Sequence, residues 1–213
     1  MITTADAITD MAQLSHLHRF EPASEPGRPA ILLLHGTGGD ENDLMPLGGM
    51  VAPGSALVSP RGKVVENGMP RFFRRLAEGV FDEADVRRRA GELADFIAEA
   101  RQAYELPAPI ALGFSNGANI AAAVLLLRPD ALAGAILLRA MVSLAEPPAA
   151  ELEGKPVLIL SGAADPIVPA ENAARLAAML ETAGAAVRHE TVPAGHNLSQ
   201  SDVAFAKAWI EGR

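Results

Sequence analysis

Short, unbroken runs of apolar residues recur along the chain, and each ends near a glycine, a proline or a charged residue. Unbroken runs, rather than alternating apolar and polar positions, are typical of strands buried on both faces, as in parallel sheets. They predict strands at Ala30–Leu34, Ala56–Ser59, Ile110–Phe114, Ala135–Leu138, Pro156–Leu160 and Val187–Val192. An earlier segment, Leu17–Phe20, predicts an additional strand at one edge of the sheet.

Longer segments with apolar residues at helical spacing lie between these runs. They predict helices at Asp82–Tyr104, Asn116–Leu127, Ala170–Thr182 and Ser199–Ile210. Strands that alternate with helices form βαβ units, which place helices on both faces of a mostly parallel sheet. We therefore expect an α/β fold in one domain spanning residues 1–213, with about seven twisted strands. No long insertion separates the runs, so no large lid is expected.

Composition narrows the class of protein. The chain has 213 residues, 49% of them hydrophobic, and a formal net charge of −8. A negative chain is a poor partner for the phosphate backbone, so no nucleic acid is expected. Cysteine is absent, which excludes disulfides, zinc–thiolate sites and a cysteine nucleophile. The first residues show no signal-peptide pattern and no run approaches the roughly 18 apolar residues of a membrane span, so we expect a cytoplasmic protein without membrane contact.

The first candidate for chemistry is the segment Gly113-Phe114-Ser115-Asn116-Gly117, which lies between a predicted strand and a predicted helix. This context is the one required by a G-x-S-x-G nucleophile elbow. The sharp turn exposes Ser115 at the end of the strand, while glycines on either side avoid collisions with neighbouring backbone. A Gly-Ser turn that merely joins the two elements is the alternative.

A histidine and an aspartate follow later predicted strands. His196 lies in Ala194-Gly195-His196-Asn197, and Asp165 lies in the turn after Pro156–Leu160. Histidine can remove the serine proton, and a carboxylate can orient the histidine ring. A surface histidine or a turn aspartate before proline is the alternative for each residue alone. The order Ser115, Asp165, His196 is that of an α/β-hydrolase triad, which favours the catalytic interpretation.

A glycine-rich loop, Leu34-His35-Gly36-Thr37-Gly38-Gly39, follows the Ala30–Leu34 run. Glycines allow backbone N–H groups to approach a substrate oxygen closely. We predict an oxyanion hole formed by the backbone N–H groups of Thr37 and Asn116. The loop lacks the residue spacing of a P-loop or of a dinucleotide-binding site, which disfavours phosphate binding.

A segment rich in arginine and phenylalanine, Met69–Arg75, permits two interpretations. In one it forms a wall of the substrate pocket. In the other its phenylalanines join the core and its arginines pair with Glu78, Asp82 or Glu83. The predicted substrate-binding residues are Gly36, Arg71, Phe72, Phe73, Met141 and Ile167.

With these motifs the chain resembles the small carboxylesterase and phospholipase branch of the α/β-hydrolases, which is related to the acyl-protein thioesterases. The matching segments include HGTGGDENDL, GFSNGA, SGAADPIVP and AGHNLS, and the resemblance extends from His35 to Ser199. It implies hydrolysis of small carboxylic esters, no cofactor, no metal and a possible homodimer. It also implies the triad and oxyanion residues named above.

Three functions are compatible with this pattern. The first is a serine carboxylesterase that works through an acyl-enzyme. The second is a thioesterase or lysophospholipase with the same residues; a dienelactone hydrolase typically needs the cysteine that the chain lacks. The third is an inactive hydrolase fold that serves as a receptor or interaction module. Retention of all three triad residues disfavours the third.

Overall fold

A seven-stranded sheet forms the centre of the molecule in the computed structural model, which describes residues 14–77 and 79–212. The strands in these residues are β1 (His18–Glu21), β2 (Ile31–Leu34), β3 (Leu57–Pro60), β4 (Val64–Glu66), β5 (Met69–Arg71), β6 (Arg75–Ala77), β7 (Val80–Phe81), β8 (Ile110–Phe114), β9 (Gly134–Leu138), β10 (Pro156–Gly162) and β11 (Ala186–Val192). The order across the sheet is β1-β3-β2-β8-β9-β10-β11. Only β1 is antiparallel to its neighbour, so the carboxyl ends of the other six strands share one edge.

Five α-helices flank the sheet in the described residues. They are α1 (Met45–Val51), α2 (Glu83–Ala103), α3 (Asn116–Leu127), α4 (Ala170–Thr182) and α5 (Gln200–Glu211). The side chain of Asp82 caps α2 by accepting a hydrogen bond from the N–H of Asp85. At the start of α5, Ser199 and Asp202 form a capping box.

The strands are apolar at every position because their side chains supply two separate cores, one on each face of the sheet. In β2, Ile31 and Leu33 belong to the core beneath α1 and α5, whereas Leu32 and Leu34 belong to the core beneath α2, α3 and α4. Successive side chains of a strand point to opposite faces, so a sheet covered on both sides requires apolar residues at every position. This arrangement confirms the predicted α/β class and the mostly parallel sheet.

Each strand and helix predicted from the sequence is present, with ends that differ by a few residues. The sequence pattern did not predict α1, which lies between β2 and β3, or the two small hairpins β4–β5 and β6–β7, which lie between β3 and α2. The hairpins consist of strands of three residues or fewer, too short for a recognisable period. Among the helices of the described residues, none is both long and apolar enough to cross a membrane.

Candidate active site

Ser115 lies in a strained turn between β8 and α3. Its φ of 51° and ψ of −112° are uncommon for a residue with a side chain. A Cβ on Gly113 would lie 2.6 Å from the carbonyl oxygen of Gly117. A Cβ on Gly117 would collide with the backbone carbonyl of Leu34 and lie 2.6 Å from that of His35. The two glycines therefore allow α3 to start directly against the carboxyl end of β2.

Ser115, His196 and Asp165 lie in one line of hydrogen bonds. The Oγ of Ser115 is 3.0 Å from Nε2 of His196, and Nδ1 of His196 is 2.9 Å from Oδ2 of Asp165. The three residues follow β8, β11 and β10, whose carboxyl ends meet at the same edge of the sheet. The serine hydroxyl is thus next to a base whose other ring nitrogen is held by a carboxylate.

The surroundings of Asp165 keep it ionised. Burial by itself raises the pKa of this carboxyl. The N–H groups of Ile167 and Val168 donate to Oδ1 at 2.8 and 3.1 Å, and with His196 they hold the pKa below its usual value. The carboxylate can therefore accept the hydrogen bond from His196 at neutral pH.

The glycine-rich loop after β2 is held in shape by His35. Its Nδ1–H donates to the carbonyl of Gly36 at 2.7 Å, and its Nε2 accepts the N–H of Gly62 at 2.9 Å. Burial lowers the pKa of His35, so the ring is neutral and can make both bonds. Thr37, the next residue of the loop, borders the cleft that contains Ser115 and Asn116.

Two residues that line this cleft, Thr37 and Asn116, have backbone N–H groups without a partner among the described residues. Asn116 is the first residue of α3, where N–H groups have no partner within the helix. Within residues 14–77 and 79–212, the N–H groups of Thr37 and Asn116 form no hydrogen bond. Free donors beside a nucleophile are what a developing oxyanion requires.

Arg139, which the sequence analysis assigned no role, supports the loop that carries His196. Its guanidinium is fully buried and donates to the carbonyls of Gly195 at 2.9 Å and Asn197 at 3.3 Å, on either side of His196. It also binds both carboxylate oxygens of Asp202, at 2.7 and 2.8 Å. The signal available in the sequence was a charged residue directly after the apolar β9.

The cleft around Ser115 has a volume of about 320 Å³. Its walls come from the ends of β2, β8, β9, β10 and β11, from the segments that follow them, and from the two hairpins. The lining residues are Thr37, Arg71, Arg75, Gly79, Phe81, Phe114, Ser115, Asn116, Asn119, Met141, Ile167, His196 and Asn197. Of the predicted substrate-binding residues, Arg71, Met141 and Ile167 are among them. Arg75 belongs to the segment that one interpretation made a wall of the pocket, but neither Arg75 nor Phe81 was among the predicted substrate-binding residues.

Three predicted substrate-binding residues occupy other positions. Phe72 and Phe73 are buried in the core, with 3% and 0% exposure, and do not line the cleft. Their backbone follows Arg71 through the hairpin region, and the apolar rings turn inward to escape water. Gly36 lies beneath the Phe114 ring, where a Cβ would be 2.9 Å from Cδ1 of that ring. Its function here is to allow close packing.

The arginines of the hairpin region fit both earlier interpretations in part. Arg74 is mostly exposed and pairs with Asp82 at 2.6 Å, as the alternative predicted. Arg71 and Arg75 instead lie near Glu66, at 3.4 and 3.7 Å. Glu78, which had also been considered as a partner, lies outside the described residues.

His16, His18 and His189 lie away from this cleft. His18 binds the Tyr104 hydroxyl at 2.7 Å, His16 packs against Phe96, and His189 binds Ser161 Oγ at 2.8 Å. In the part of the chain that the structure describes, no group of three or more histidine, aspartate and glutamate side chains is arranged to hold a metal ion.

Comparisons with known proteins agree with this architecture. The sequence model of the Phospholipase/Carboxylesterase family matches residues 17–212. A Bacillus subtilis (strain 168) protein named as the hydrolase MhqD is 45% identical over 183 residues, 85% of this chain and 92% of that protein. Among solved structures, the Bacillus cereus carboxylesterase has 43% identity and a TM-score of 0.89, covering 95% of each chain. A carboxylesterase from Mesorhizobium loti has 33% identity and a TM-score of 0.90, covering 95% of this chain and 98% of that one.

Proposed function

Since the chain belongs to the phospholipase/carboxylesterase family of α/β-hydrolases and is a carboxylic ester hydrolase, we propose that Ser115, His196 and Asp165 are its catalytic triad. The substrates are small carboxylic esters that fit a cleft of about 320 Å³. The observation that carries the proposal is the line of hydrogen bonds from Ser115 Oγ through the imidazole of His196 to the carboxylate of Asp165, with steps of 3.0 and 2.9 Å.

In the first half of the reaction, His196 Nε2 takes the hydroxyl proton as Ser115 Oγ attacks the ester carbonyl. The carbonyl oxygen becomes an oxyanion, which accepts hydrogen bonds from the N–H groups of Thr37 and Asn116. When the carbon–oxygen bond to the alcohol breaks, the imidazolium gives its proton to the departing alkoxide, and the acyl group remains on the serine.

In the second half, a water molecule takes the place of the alcohol. His196 removes a proton from this water, the resulting hydroxide attacks the acyl carbonyl, and the serine leaves as its hydroxyl is reprotonated. The carboxylic acid is released and the enzyme returns to its starting state. Asp165 remains ionised throughout, and it holds the ring and stabilises its positive charge.

The experiment that tests this proposal is labelling with a fluorophosphonate, followed by peptide mapping. We expect the label on Ser115 and no label on the Ser115→Ala variant. The matched control is Ser161→Ala, because Ser161 also lies 2.8 Å from a histidine nitrogen, that of His189, but it lies within a strand rather than in an elbow. The control should label as strongly as the wild type.

Turnover is measured in parallel with 4-nitrophenyl esters from acetate to decanoate and with acyl thioesters of the same lengths. Labelling of Ser115 with rapid turnover of short oxygen esters supports the carboxylesterase. Labelling with turnover of thioesters alone would assign the same triad to a thioesterase. Labelling at another residue, or equal turnover by Ser115→Ala, would overturn the assignment of the nucleophile.

A further inference from the structure

Arg71 is a buried cation whose hydrogen-bonding capacity is only partly used. Its side chain is 3% exposed, and its Nε donates to the carbonyl of Phe73 at 3.2 Å and lies 3.4 Å from Glu66. Its Nη1 is buried and, within residues 14–77 and 79–212, has no hydrogen-bond partner. A buried charged donor without a partner is costly, so such a group calls for an explanation, and a ligand that accepts its hydrogen bond is one.

The backbone ties Arg71 to both sides of the candidate active site. The N–H of the next residue, Phe72, donates at 2.7 Å to Oδ1 of Asn116, the residue after the nucleophile. The carbonyl of the preceding residue, Pro70, accepts the N–H of Gly38 in the glycine-rich loop at 2.9 Å. Arg71 is therefore held between the two segments that carry the proposed oxyanion donors.

A second unused donor lies in the same place. The Nδ2 of Asn116 is buried and also lacks a hydrogen-bond partner among the described residues. Because its Oδ1 is occupied by the backbone N–H of Phe72, the amide is oriented with its NH₂ group free. Both Arg71 and Asn116 line the cleft that contains Ser115.

Positive charge dominates this wall of the cleft. Arg71 and Arg75 both line it, and they share a single carboxylate, Glu66, at 3.4 and 3.7 Å. Burial and the neighbouring Arg75 lower the pKa of Arg71, and Glu66 raises it, but a guanidinium remains charged at neutral pH. One carboxylate cannot neutralise two guanidinium groups, and this occurs in a protein whose formal net charge is −8.

We propose that Arg71, with Arg75 and the Asn116 amide, binds a carboxylate of the substrate, so that the preferred esters carry a free carboxylate within a few bonds of the scissile ester. A planar carboxylate offers two acceptor oxygens, which match the fork of a guanidinium. This inference rests on the proposed function of Ser115, because it places the anionic group relative to that nucleophile. The small cleft favours short substrates, such as half-esters of dicarboxylic acids or acyl esters of hydroxy acids.

The test compares each carboxylate ester with a neutral amide of nearly the same shape. Ethyl hydrogen glutarate, which carries its carboxylate on the acyl side, is paired with ethyl 4-carbamoylbutanoate. Acetoxyacetate, which carries its carboxylate on the alcohol side, is paired with 2-acetoxyacetamide. The kcat/KM of each is measured by NMR at fixed ionic strength. We expect the wild-type enzyme to favour the acid over the amide at least about tenfold in one pair, and that pair identifies the side on which the carboxylate is bound.

Arg71→Gln should reduce this acid-to-amide ratio to about one, and Arg71→Lys should retain part of it. The matched control is Arg74→Gln, which removes a neighbouring arginine that is mostly exposed, pairs with Asp82 and does not line the cleft; it should keep the wild-type ratio. If Arg71→Gln does not fold, Arg75→Gln decides the question, because Arg75 is more exposed and should lower the ratio in the same direction.

The two proposals fail in different ways. Wild-type ratios near one in both pairs, with Ser115 still labelled by fluorophosphonate and the amides still hydrolysed, would overturn the carboxylate site and leave the triad intact. An unchanged ratio in both Arg71→Gln and Arg75→Gln would also overturn it. Absence of both labelling and ester turnover would overturn the two proposals together.

Discussion

Replacing Arg139 by methionine removes the cation of a fully buried ion pair. The guanidinium binds both oxygens of Asp202, at 2.7 and 2.8 Å, and the two side chains are 0% and 1% exposed. Methionine is similar in length but donates no hydrogen bond. The variant therefore leaves a buried carboxylate without its cation, and the carbonyls of Gly195 and Asn197 without a donor.

The size of the effect follows from the burial of the pair. Removal of one partner of a buried ion pair costs about 3–5 kcal/mol in the free energy of unfolding. For a domain of this size each kcal/mol lowers the melting temperature by about 2–4 °C, so we expect a decrease of about 6–20 °C. Arg128→Met is the matched control, because Arg128 pairs with Asp95 at the surface, where both side chains are about half exposed, and it should cost less than about 1 kcal/mol.

Two measurements separate a role of Arg139 in stability from a role of Arg139 in positioning His196. Thermal unfolding should show that Arg139→Met with Asp202→Leu recovers much of the lost stability, because the uncompensated charge is gone. The recovery should fall short by about 1 kcal/mol, since Ser199 loses its capping partner. Hydrolysis of a short ester should show that kcat stays low in the double variant while KM changes little, because the backbone beside His196 is still unsupported.

A wild-type melting temperature for Arg139→Met would contradict the argument from burial. A double variant that regains full kcat would show that Arg139 acts only through stability, and would contradict its role in positioning the His196 loop.

Three further predictions follow from the site. Asp165→Asn should reduce kcat for ester hydrolysis by about 10⁴-fold, although Ser115 is unchanged, because the amide favours the wrong tautomer of His196. A reduction of kcat by less than tenfold would contradict this. Gly117→Ala should lower the free energy of unfolding, measured by chemical denaturation, by about 1–3 kcal/mol, since its Cβ would collide with the backbone of β2. Gly91→Ala, in open space on α2, should not lower it, and equal free energies of unfolding for the two variants would refute the crowding. Burial raises the pKa of Asp202, but the hydrogen bonds from Arg139 and Ser199 lower it by more, so the pKa lies below its usual value. The stabilisation from Asp202 is therefore present above the unfolded-state pKa of about 3.9 and is lost as the pH falls below it. Asp202→Asn should flatten the acid side of the stability curve measured from pH 6 to pH 2.

The strands and helices were largely predictable because their signals are local. Ile110–Phe114 and Asn116–Leu127 have the same bounds in the sequence analysis and in the structure. A run that is apolar at every position belongs in a sheet covered on both faces, and Leu32 and Leu33 do enter opposite cores. The hairpins were not predictable, because strands of two or three residues have too few positions to show a period.

The residues proposed for the triad were recognised by their type, their order and their place after predicted strands. Parallel strands bring their carboxyl ends to one edge, so the topology implied that Ser115, Asp165 and His196 would lie close together. The distances of 3.0 and 2.9 Å depend on the bends of three loops, which have no signature in the sequence. The catalytic roles themselves stay predictions until the labelling experiment.

The position of the arginine- and phenylalanine-rich segment Met69–Arg75 could not be predicted from the sequence. Its composition allowed either a pocket wall or a core element, and the structure divides it, with Arg71 in the cleft and the Phe72 ring in the core. Local propensity could not decide this, because the direction of each side chain depends on contacts with distant residues, such as the hydrogen bond from Phe72 N–H to Asn116, 44 positions later.

The sequence by itself determined the elements that arise from local periodicity, the order of the residues proposed for the triad, and the exclusion of cysteine chemistry. Tertiary structure alone decided which buried polar groups meet, as with Arg139 and Asp202, which are 63 positions apart. It also decided which arginines line the cleft around Ser115. The physical reason is that a buried charge or donor is tolerated only where partners from distant segments converge on it, and that convergence is a property of the packed chain.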